Sequence, residues 1–515
     1  MTLWSVMGII PITMSFIRKR RRGDTVYLEE VQSCRVKGKM VQRFIRHVGK
    51  QANGRRILST SISDVQVDRV KLCGPLLVLN HVAHEIGLAD HLGEYGPEIL
   101  SMVYAHCLDY ESINQMPAWF ERTDLNMLLN LEGLTQERLL KAMDSLVTKD
   151  QDLMQRAIFK SVKKTYKVRD SGIIYDVTNT YLYGKKCSMG KEGKDKEGVR
   201  GRPLIQIGLA VTKEAGIPVF HKTFDGNIHD SKTFQDVMTS FGRYGLKPGG
   251  LVIYDRGVAS GRNIVDVKAL KWDTLCGVAS NPKLERLWRQ TLSGGGLIRF
   301  SNRVRLNETI FYVTTKIYEI GGVKGELALC FNEQKQRRLR ESRYDEIADA
   351  QTLLKNGQSI KPELKKFIDS RGQLIQTTVS QAEEFDGCSY IFSTRLLSKE
   401  EMVRLYFDKD IVEKAFHSIK GIVNLQPIRH WLANRVTAHI FICYLSYLLL
   451  SLLKYRLKKI KLSPQAALRE LETMYKVYLR DAKGSFKMSR LVMLTKKQEQ
   501  ILRAIDKKLL KLTDL

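Results

Sequence analysis

Three carboxylates in this chain have the types and surroundings that metal-assisted phosphate chemistry requires. Asp176 in IIYDV and Asp255 in LVIYD each follow an apolar run typical of a short buried strand, and Glu413 lies in a segment with helical periodicity. Convergent carboxylates can hold Mg²⁺ or Mn²⁺ through their oxygens, and two such ions can assist the cleavage of a phosphodiester. Because each acid alone is more typical of a cap or a surface residue, the prediction depends on all three meeting in the fold.

Basic and aromatic side chains flank Glu413 at helical spacing. At about 100° per residue, Tyr406, Lys409 and Lys420 would share one face of a single helix with Glu413. The alternative is a helix that breaks within residues 408–410, where two aspartates indicate a second helix start. If one helix covers the segment, we expect the two lysines to hold phosphate. A solvated helix face, or an i,i+4 pair between Lys409 and Glu413, would instead make the lysines structural. An adjacent face carries apolar residues that would pack on a sheet: Leu405, Val412, Ala415, Phe416 and Ile419.

The composition favours a phosphate-rich partner. The chain has 84 Lys+Arg against 55 Asp+Glu, so its formal net charge is +29, and such an excess favours a polyanion through counterion release. The alternatives are a basic protein without such a role or a ribosome-associated one. At 515 residues and 43% hydrophobic content, the chain is longer than one ordinary domain and can fill a core. Its eight cysteines include no CxxC pair, which favours reduced thiols in the cytoplasm over a zinc site or disulfides.

Two apolar segments resemble targeting or membrane segments. Residues 3–16 precede an arginine-rich run, which is the reverse of the order in a secretory signal, so we expect residues 1–23 to be a disordered leader. Residues 440–453 fall short of the roughly 20 residues that a membrane span needs. We therefore expect a buried helix there and no membrane partner.

The order of predicted elements indicates an α/β fold. Over residues 171–284 the order is β-β-β-α-β-α-β, which is typical of a ribonuclease H-like core, a mixed sheet with helices on both faces. We expect the core to be interrupted by a β-rich inserted domain over 285–390 and to resume over 391–455. The remaining regions are a β-hairpin over 24–56, a helical region over 57–170 that is plausible for DNA binding, and a helical basic C-terminal region over 456–515.

The spacing around Glu413 matches a known signature. Tyr406, Lys409, Glu413 and Lys420 fit Y-(2)-[RK]-(3)-E-(6)-K, and the chain therefore resembles the insertion-sequence-four superfamily of DDE transposases. Lysine stands at 409 where many members have arginine, which keeps the charge but loses bidentate geometry.

Three further stretches resemble motifs of the same family. Asp176 with Thr178 resembles its first-acid motif, and Asp255 with Arg256 and Gly257 resembles its second. The stretch DGNIHDSKTF, with Asn227 and Asp230, resembles its G-N-x-x-D-x-x-T motif. The resemblance covers roughly residues 170–455.

The resemblance implies a prokaryotic transposase. Such an enzyme binds the terminal inverted repeats of an insertion sequence and catalyses divalent-metal-dependent DNA cleavage and strand transfer. Its partners would be double-stranded DNA at the element ends and at the target, and a second copy in a homodimeric complex, in the cytoplasm at the nucleoid. The alternatives are a catalytically inactive DNA-binding protein derived from a transposase, or a ribonuclease H-like nuclease without strand transfer.

The resemblance also assigns roles to residues. Asp176, Asp255 and Glu413 would be catalytic and would hold Mg²⁺ or Mn²⁺ as two ions. Four further residues would contact DNA, and three would support the acids: Tyr406, Lys409, Lys420 and Arg256, and Thr178, Asn227 and Asp230, respectively.

Overall fold

The computed structural model describes residues 15–23, 25–36, 39–52, 55–58, 65–148, 150–169, 171–193, 201–244, 246, 248–369, 371–481 and 487–512. Residues 1–14 of the expected leader and the turn at 37–38 of the expected hairpin lie outside this part of the chain.

The N-terminal strands form a four-stranded antiparallel sheet in sequence order. They are β1 (Ser15–Arg22), β2 (Thr25–Val36), β3 (Lys39–Ala52) and β4 (Arg55–Leu58). The expectation of a disordered leader is wrong for residues 15–22, because this arginine-rich run pairs along β2. Opposite charges across the pair stabilise it, as in the 2.6 Å contact of Arg18 with Glu29.

A strand and seven helices follow. The strand β5 (Val65–Leu72) falls in a region expected to be helical. The helices are α1 (Gly74–Glu85), α2 (Leu88–Leu92), α3 (Gly96–Leu108), α4 (Met116–Glu121), α5 (Leu125–Leu128), α6 (Gln136–Thr148) and α7 (Gln151–Tyr166).

The next segment has the predicted β-β-β-α-β-α-β order. Its strands occur in the spatial order β8-β7-β6-β9-β10, with β6, β9 and β10 parallel and β7 antiparallel to its neighbours. The elements are β6 (Gly172–Tyr181), β7 (Leu204–Thr212), β8 (Pro218–Asp225), α8 (Asp230–Phe241), β9 (Leu251–Tyr254), α9 (Gly261–Ala269) and β10 (Asp273–Val278).

The segment expected to be a β-rich inserted domain joins the core sheet. Because β14 pairs with both β10 and β13, the sheet continues to nine strands, and Leu327, Leu329 and Phe392 bury in the same core cluster as the central strands. The segment also holds long helices, so "β-rich" is wrong for much of it. Its elements are α10 (Pro282–Ser293), β11 (Arg303–Leu306), β12 (Thr309–Ile320), β13 (Val323–Phe331), α11 (Glu333–Lys355), α12 (Gln376–Glu383) and β14 (Cys388–Ser393).

The C-terminal part contains a hairpin that the sequence did not predict. Strand β15 pairs with β16 and with β5, so residues near both ends of the chain share one three-stranded sheet. The expectation of a helical region over 456–515 is wrong for residues 475–481 and 487–491, which are strands. The elements are α13 (Lys399–Phe407), α14 (Asp410–His417), α15 (Ala433–Leu457), α16 (Pro464–Leu471), β15 (Tyr475–Asp481), β16 (Lys487–Leu491), α17 (Lys496–Ile505) and α18 (Lys508–Leu512).

The apolar helix α15 is the central support of the molecule. With 25 residues it is longer than the segment expected from the sequence, and it is long and apolar enough to cross a membrane, yet 94% of its most apolar stretch is buried inside the protein. It packs against α1, α3, α6, β8, α16 and α17. The N-terminal helices and one face of the core sheet therefore share a single hydrophobic cluster with α15, and the region 57–170 does not form a core of its own.

The buried position of α15 predicts a large cost for truncating its side chains. Leu449 is fully buried, so Leu449→Ala should lower the free energy of unfolding by about 2–5 kcal/mol through reduced burial and the cavity left behind. The control is Lys454→Ala, because Lys454 is an exposed residue of the same helix. Thermal or denaturant unfolding of the purified protein measures both. Equal stability of the two variants would contradict this packing.

Candidate active site

The pairing register of β6 and β9 places two of the predicted acids side by side. The two strands are parallel, and Tyr175 lies opposite Tyr254, so Asp176 and Asp255 follow at the same level. The tyrosines bury in the core cluster on one face of the sheet. Because side chains alternate between faces, both aspartates point to the other face, where α15 and its cluster lie.

The sequence suggested that Asp176 ends its strand, but the strand continues past it. Strand β6 continues to Tyr181 because it goes on pairing with β7, whereas β9 stops at Tyr254. The pairing of β6 with β9 ends at Tyr175. Asp176 therefore lies just past the part of β6 that β9 covers. Asp255 lies at the carboxyl end of its strand, where ligands bind in open α/β sheets.

Glu413 reaches the same place from α14. Val412, Ala415 and Phe416 bury against the sheet face toward which the aspartates point. The prediction of one helix over this segment is wrong, and the alternative of a break at 408–410 is right. On one straight helix the buried face of α14 would lie roughly a third of a turn from that of α13, so the chain must reorient between them for both to pack. A capping box of Ser398 and Glu401 begins α13.

The break leaves Tyr406 and Lys409 against the acids. The Tyr406 hydroxyl donates a hydrogen bond of 2.7 Å to Asp255 Oδ1. Lys409 Nζ lies 2.7 Å from Glu413 Oε1 and 3.8 Å from Asp255 Oδ1. The tyrosine is buried, and the lysine side chain is only 17% exposed. One ammonium group therefore joins the acid of the sheet to the acid of the helix.

These contacts set the ionisation of the site. Burial acts to raise the pKa of Asp255, but the Lys409 ammonium, the Tyr406 hydroxyl and Arg256 outweigh it and hold that pKa below its usual value. Burial acts to lower the pKa of Lys409, but Glu413, Asp255 and Asp176 raise it overall. At neutral pH Asp255 is therefore a carboxylate, and the Lys409 side chain beside it is a cation.

The predicted residues surround two adjoining cavities. The first, which we call the acid groove, has a volume of about 1160 Å³ and is lined by all three acids together with Arg256, Lys420, Thr178, Asn227 and Asp230. Tyr406 and Lys409 line the second cavity, which shares Asp255 and Arg256 with the first. Every residue selected from the sequence therefore lies at one of the two cavities.

The acid groove also has polar residues that the sequence did not single out as functional. Gln206 lies opposite Asn179 on the neighbouring strand, and Gln426 accepts a hydrogen bond of 3.2 Å from Thr180. The groove is also lined by Glu192, His229 and His417. Alternation along β7 could have indicated Gln206, but Gln426 is 246 residues from its partner and carries no local signal.

The carboxylates themselves have donor atoms suited to a divalent ion. All are oxygens, the ligands that Mg²⁺ and Mn²⁺ prefer. Within the described residues, however, the three acids do not form a group whose ligand atoms all lie within 4.8 Å of one another. The Lys409 ammonium stands between Glu413 and Asp255, so a divalent ion that joins these two acids requires the ammonium to move.

One buried group has spacing that could suit a metal: His106, His439 and Cys443. One ring nitrogen of each histidine, however, already faces a backbone carbonyl oxygen. His106 Nδ1 lies 2.6 Å from the carbonyl oxygen of Val423, and His439 Nε2 lies 3.2 Å from that of Leu425. Burial lowers the pKa of His106 to about 4, so the ring is neutral, and the nitrogen that faces a carbonyl carries the proton. The histidines therefore attach α3 and α15 to the segment that follows α14.

A second group of possible ligands joins α1 to the C-terminal end of α17. His81 Nε2 lies 3.3 Å from Asp506 and 3.8 Å from Glu85. Glu85 already accepts hydrogen bonds from Tyr166 and Arg456, so its charge is compensated without a metal.

Comparison with known proteins matches the chain to one family. The family described as the transposase DDE domain matches residues 167–449, which is more than half of the chain. The solved cryo-EM structure of a piggyBac transposase synaptic complex with hairpin DNA is 12% identical, covers 78% of this chain and 79% of that one, and has a TM-score of 0.35, too low to bear on the fold or the function. No curated protein sequence matches the chain.

The hydrogen bond from Tyr406 predicts a measurable shift at Asp255. Tyr406→Phe removes a donor to the charged carboxylate, so the pKa of Asp255 should rise toward its usual value. Its depressed pKa stabilises the fold above the unfolded pKa, and this contribution is lost as the pH falls through the folded pKa; the variant should therefore lose it at a higher pH. Carboxyl-¹³C NMR, with Asp255→Asn to assign the signal, measures the shift.

A second variant tests the same contact sterically. A Cβ at Gly277 would overlap the Tyr406 hydroxyl, so Gly277→Ala should displace the tyrosine and raise the same pKa. An unchanged Asp255 titration in both variants would contradict the contact.

Proposed function

The chain belongs to the transposase DDE domain family, and from this premise we propose that it is an insertion-sequence transposase of the insertion-sequence-four type. It binds terminal inverted repeats, cleaves DNA at the element ends and joins the ends to target DNA. The observation that carries the proposal is the meeting of Asp176, Asp255 and Glu413 at one groove, although 79 and 158 residues separate them in sequence.

The topology supports a ribonuclease H-like core around this groove. Three antiparallel strands, β8, β7 and β6, are followed by β9 and β10, which run parallel to β6. The acids come from β6, from the end of β9 and from a helix packed on the same sheet face. The strands from 303 to 331 extend this sheet as an insertion between β10 and β14.

Two Mg²⁺ or Mn²⁺ ions fit the donor set, with Asp176, Asp255 and Glu413 as ligands. When bound, they supply activation of the attacking oxygen and stabilisation of the leaving oxygen. The position of Lys409 supports this fit, because the acids already hold a cation in the same place.

In the joining step of the reaction, the number of phosphodiester bonds does not change. In cleavage, a water oxygen bonds to phosphorus, the bond from phosphorus to the 3′-oxygen breaks, and the element keeps a 3′-hydroxyl. In joining, that hydroxyl loses its proton and bonds to a target phosphorus, whose own 3′-oxygen leaves and takes up a proton. Joining therefore needs no further co-substrate.

Other side chains orient the acids and hold the DNA. Tyr406 donates to Asp255 and fixes its carboxylate. Lys409, Lys420 and Arg256 hold substrate phosphates and offset the charge that develops on them. Thr178, Asn227 and Asp230 support the acids from the wall of the acid groove.

The partners follow from the chemistry and the charge. The formal net charge of +29 favours double-stranded DNA, both element ends and target. The joining of two ends suits a homodimer in the cytoplasm of a prokaryote, at the nucleoid. A nuclease without strand transfer would use the same acids, and the joining assay separates the two.

The role of the acids predicts separable losses. Asp176→Asn, Asp255→Asn and Glu413→Gln should each abolish Mg²⁺-dependent cleavage of a duplex that carries the inverted repeat bordering the coding sequence. The same variants should bind that duplex at least as tightly as the unmodified protein, because each removes a negative charge near DNA phosphates. Glu346→Gln, at an exposed acid elsewhere, is the control. Cleavage by any of the three variants at the unmodified rate would refute the assignment.

The position of Lys409 predicts two effects of opposite sign. Lys409→Met should raise the affinity for Mn²⁺ in the absence of DNA, since the ion no longer competes with the ammonium. Cleavage should nevertheless become slower, because the variant has no cation at this position to hold a substrate phosphate. Lys414→Met is the matched control, as Lys414 lies on the adjoining helix α14, is 75% exposed and pairs with Asp410.

Electron paramagnetic resonance of Mn²⁺ and a cleavage assay measure the two effects. Unchanged Mn²⁺ affinity would refute the competition, and unchanged cleavage would refute the phosphate role.

A further inference from the structure

The second cavity lies on the opposite side of Asp255 from the acid groove. It has a volume of about 910 Å³ and runs between the end of β10, the turn from β11 to β12, the start of α11, β14 and the end of α13. We call it the Lys335 groove, after the lysine in its wall. Because Asp255 and Arg256 line both cavities, the two cavities meet at these residues.

Two cations of the Lys335 groove, Lys335 and Arg338, form no ion pair with a carboxylate in the part of the chain that the structure describes. The other two are compensated at the acids, because Arg256 helps to lower the pKa of Asp255 and Lys409 contacts Asp255 and Glu413. Neighbours on α11 do have acidic partners: Arg337 pairs with Glu341, and Arg343 pairs with Asp386. The charges without an acidic partner are therefore Lys335 and Arg338, and both face the groove.

A hydrogen bond positions Lys335, and its surroundings destabilise its positive charge. Its ammonium donates a hydrogen bond of 3.0 Å to the carbonyl oxygen of Cys388. Burial and repulsion from Arg256 lower its pKa below the usual value. An anion between Lys335 and Arg256 would relieve that repulsion and satisfy the remaining ammonium hydrogens. The site therefore favours a ligand that carries negative charge.

The walls of the two cavities differ in chemistry. The Lys335 groove combines its cations with the rings of Phe311, Phe385 and Phe407. The acid groove instead has a single phenylalanine ring, Phe416, and more acidic side chains, because Glu192 and Asp230 line it beside the three acids. Both cavities carry amide side chains, so the difference lies in the rings and the charge. Cations and apolar rings suit backbone phosphates and sugar or base faces of any sequence.

A phosphodiester cleaved at the acids has DNA on both sides. One side is the element end, which is the same in every reaction. The other side is flanking DNA during cleavage and target DNA during joining, and its sequence changes from site to site. A groove without sequence preference suits the second side.

We propose that the Lys335 groove binds the DNA backbone beyond the scissile phosphate, flanking DNA before cleavage and target DNA at joining, through Arg256, Lys335 and Arg338. The inference rests on the proposed function and adds to it the position of the flanking and target DNA. The element end then lies along the acid groove with Lys420.

The test compares Lys335→Ala/Arg338→Ala with Lys361→Ala/Lys365→Ala, which removes the same charge from exposed positions elsewhere. The probes are a duplex of arbitrary sequence, a duplex with the inverted repeat and its flank, and the same duplex pre-cleaved at the element end. Fluorescence anisotropy over a range of salt concentrations gives the affinities. Equal melting temperatures confirm that both variants are folded.

We expect the groove variant to lose affinity for the arbitrary and the flanked duplex. The slope of log affinity against log salt should become less steep by about 0.9 for each DNA phosphate that the variant no longer neutralises. Its affinity for the pre-cleaved end should match that of the unmodified protein. The control should keep the unmodified slope on every probe.

Other outcomes overturn the assignment. An equal loss on the pre-cleaved end would place the element end in the Lys335 groove. A loss on the flanked duplex alone would refute the target role, and no loss on any probe would refute DNA binding there. If the unmodified protein itself bound no duplex DNA, the proposed function would fail, and the role of the groove with it.

Discussion

The parallel register of β6 and β9 is the constraint on which the site depends. It sets Asp176 and Asp255 at one level and on one face, since Tyr175 and Tyr254 before them are buried on the other. A shift of one residue would turn one carboxylate into the core, where an unpaired charge is costly. The large apolar core on both faces of the sheet therefore also fixes the position of the acids.

A second constraint is charge. Carboxylates that converge repel one another unless a cation lies among them, and Lys409 fulfils that role from the break between α13 and α14. The same break lets Tyr406 reach Asp255 past Gly277, where any side chain would intrude. Under the proposed function, a bound ion would replace the Lys409 ammonium at the carboxylates and free it for a DNA phosphate, so loading of metal and loading of substrate would be coupled.

The sequence predicted which residues meet at the acid groove better than it predicted the architecture. Asp176, Asp255 and Glu413 were identifiable because each follows a local pattern, and the spacing from Tyr406 to Lys420 is itself a local signature. The break at 408–410 depends on how α13 and α14 pack, so helical periodicity alone could not decide it. The pairing of β15 with β5 joins residues about 400 positions apart, and the union of β13 with β14 likewise depends on partners distant in sequence. Gln426 escaped notice for the same reason.

The central claim is that the three acids together form the metal site. Crystals soaked in Mn²⁺ test it most directly, because anomalous scattering locates the ion without reference to activity. The account predicts an anomalous peak bonded to carboxylate oxygens of Asp176, Asp255 and Glu413, with the Lys409 ammonium moved away from Glu413. A Mn²⁺ peak only at His81, Glu85 and Asp506, with Lys409 still bonded to Glu413, would contradict it.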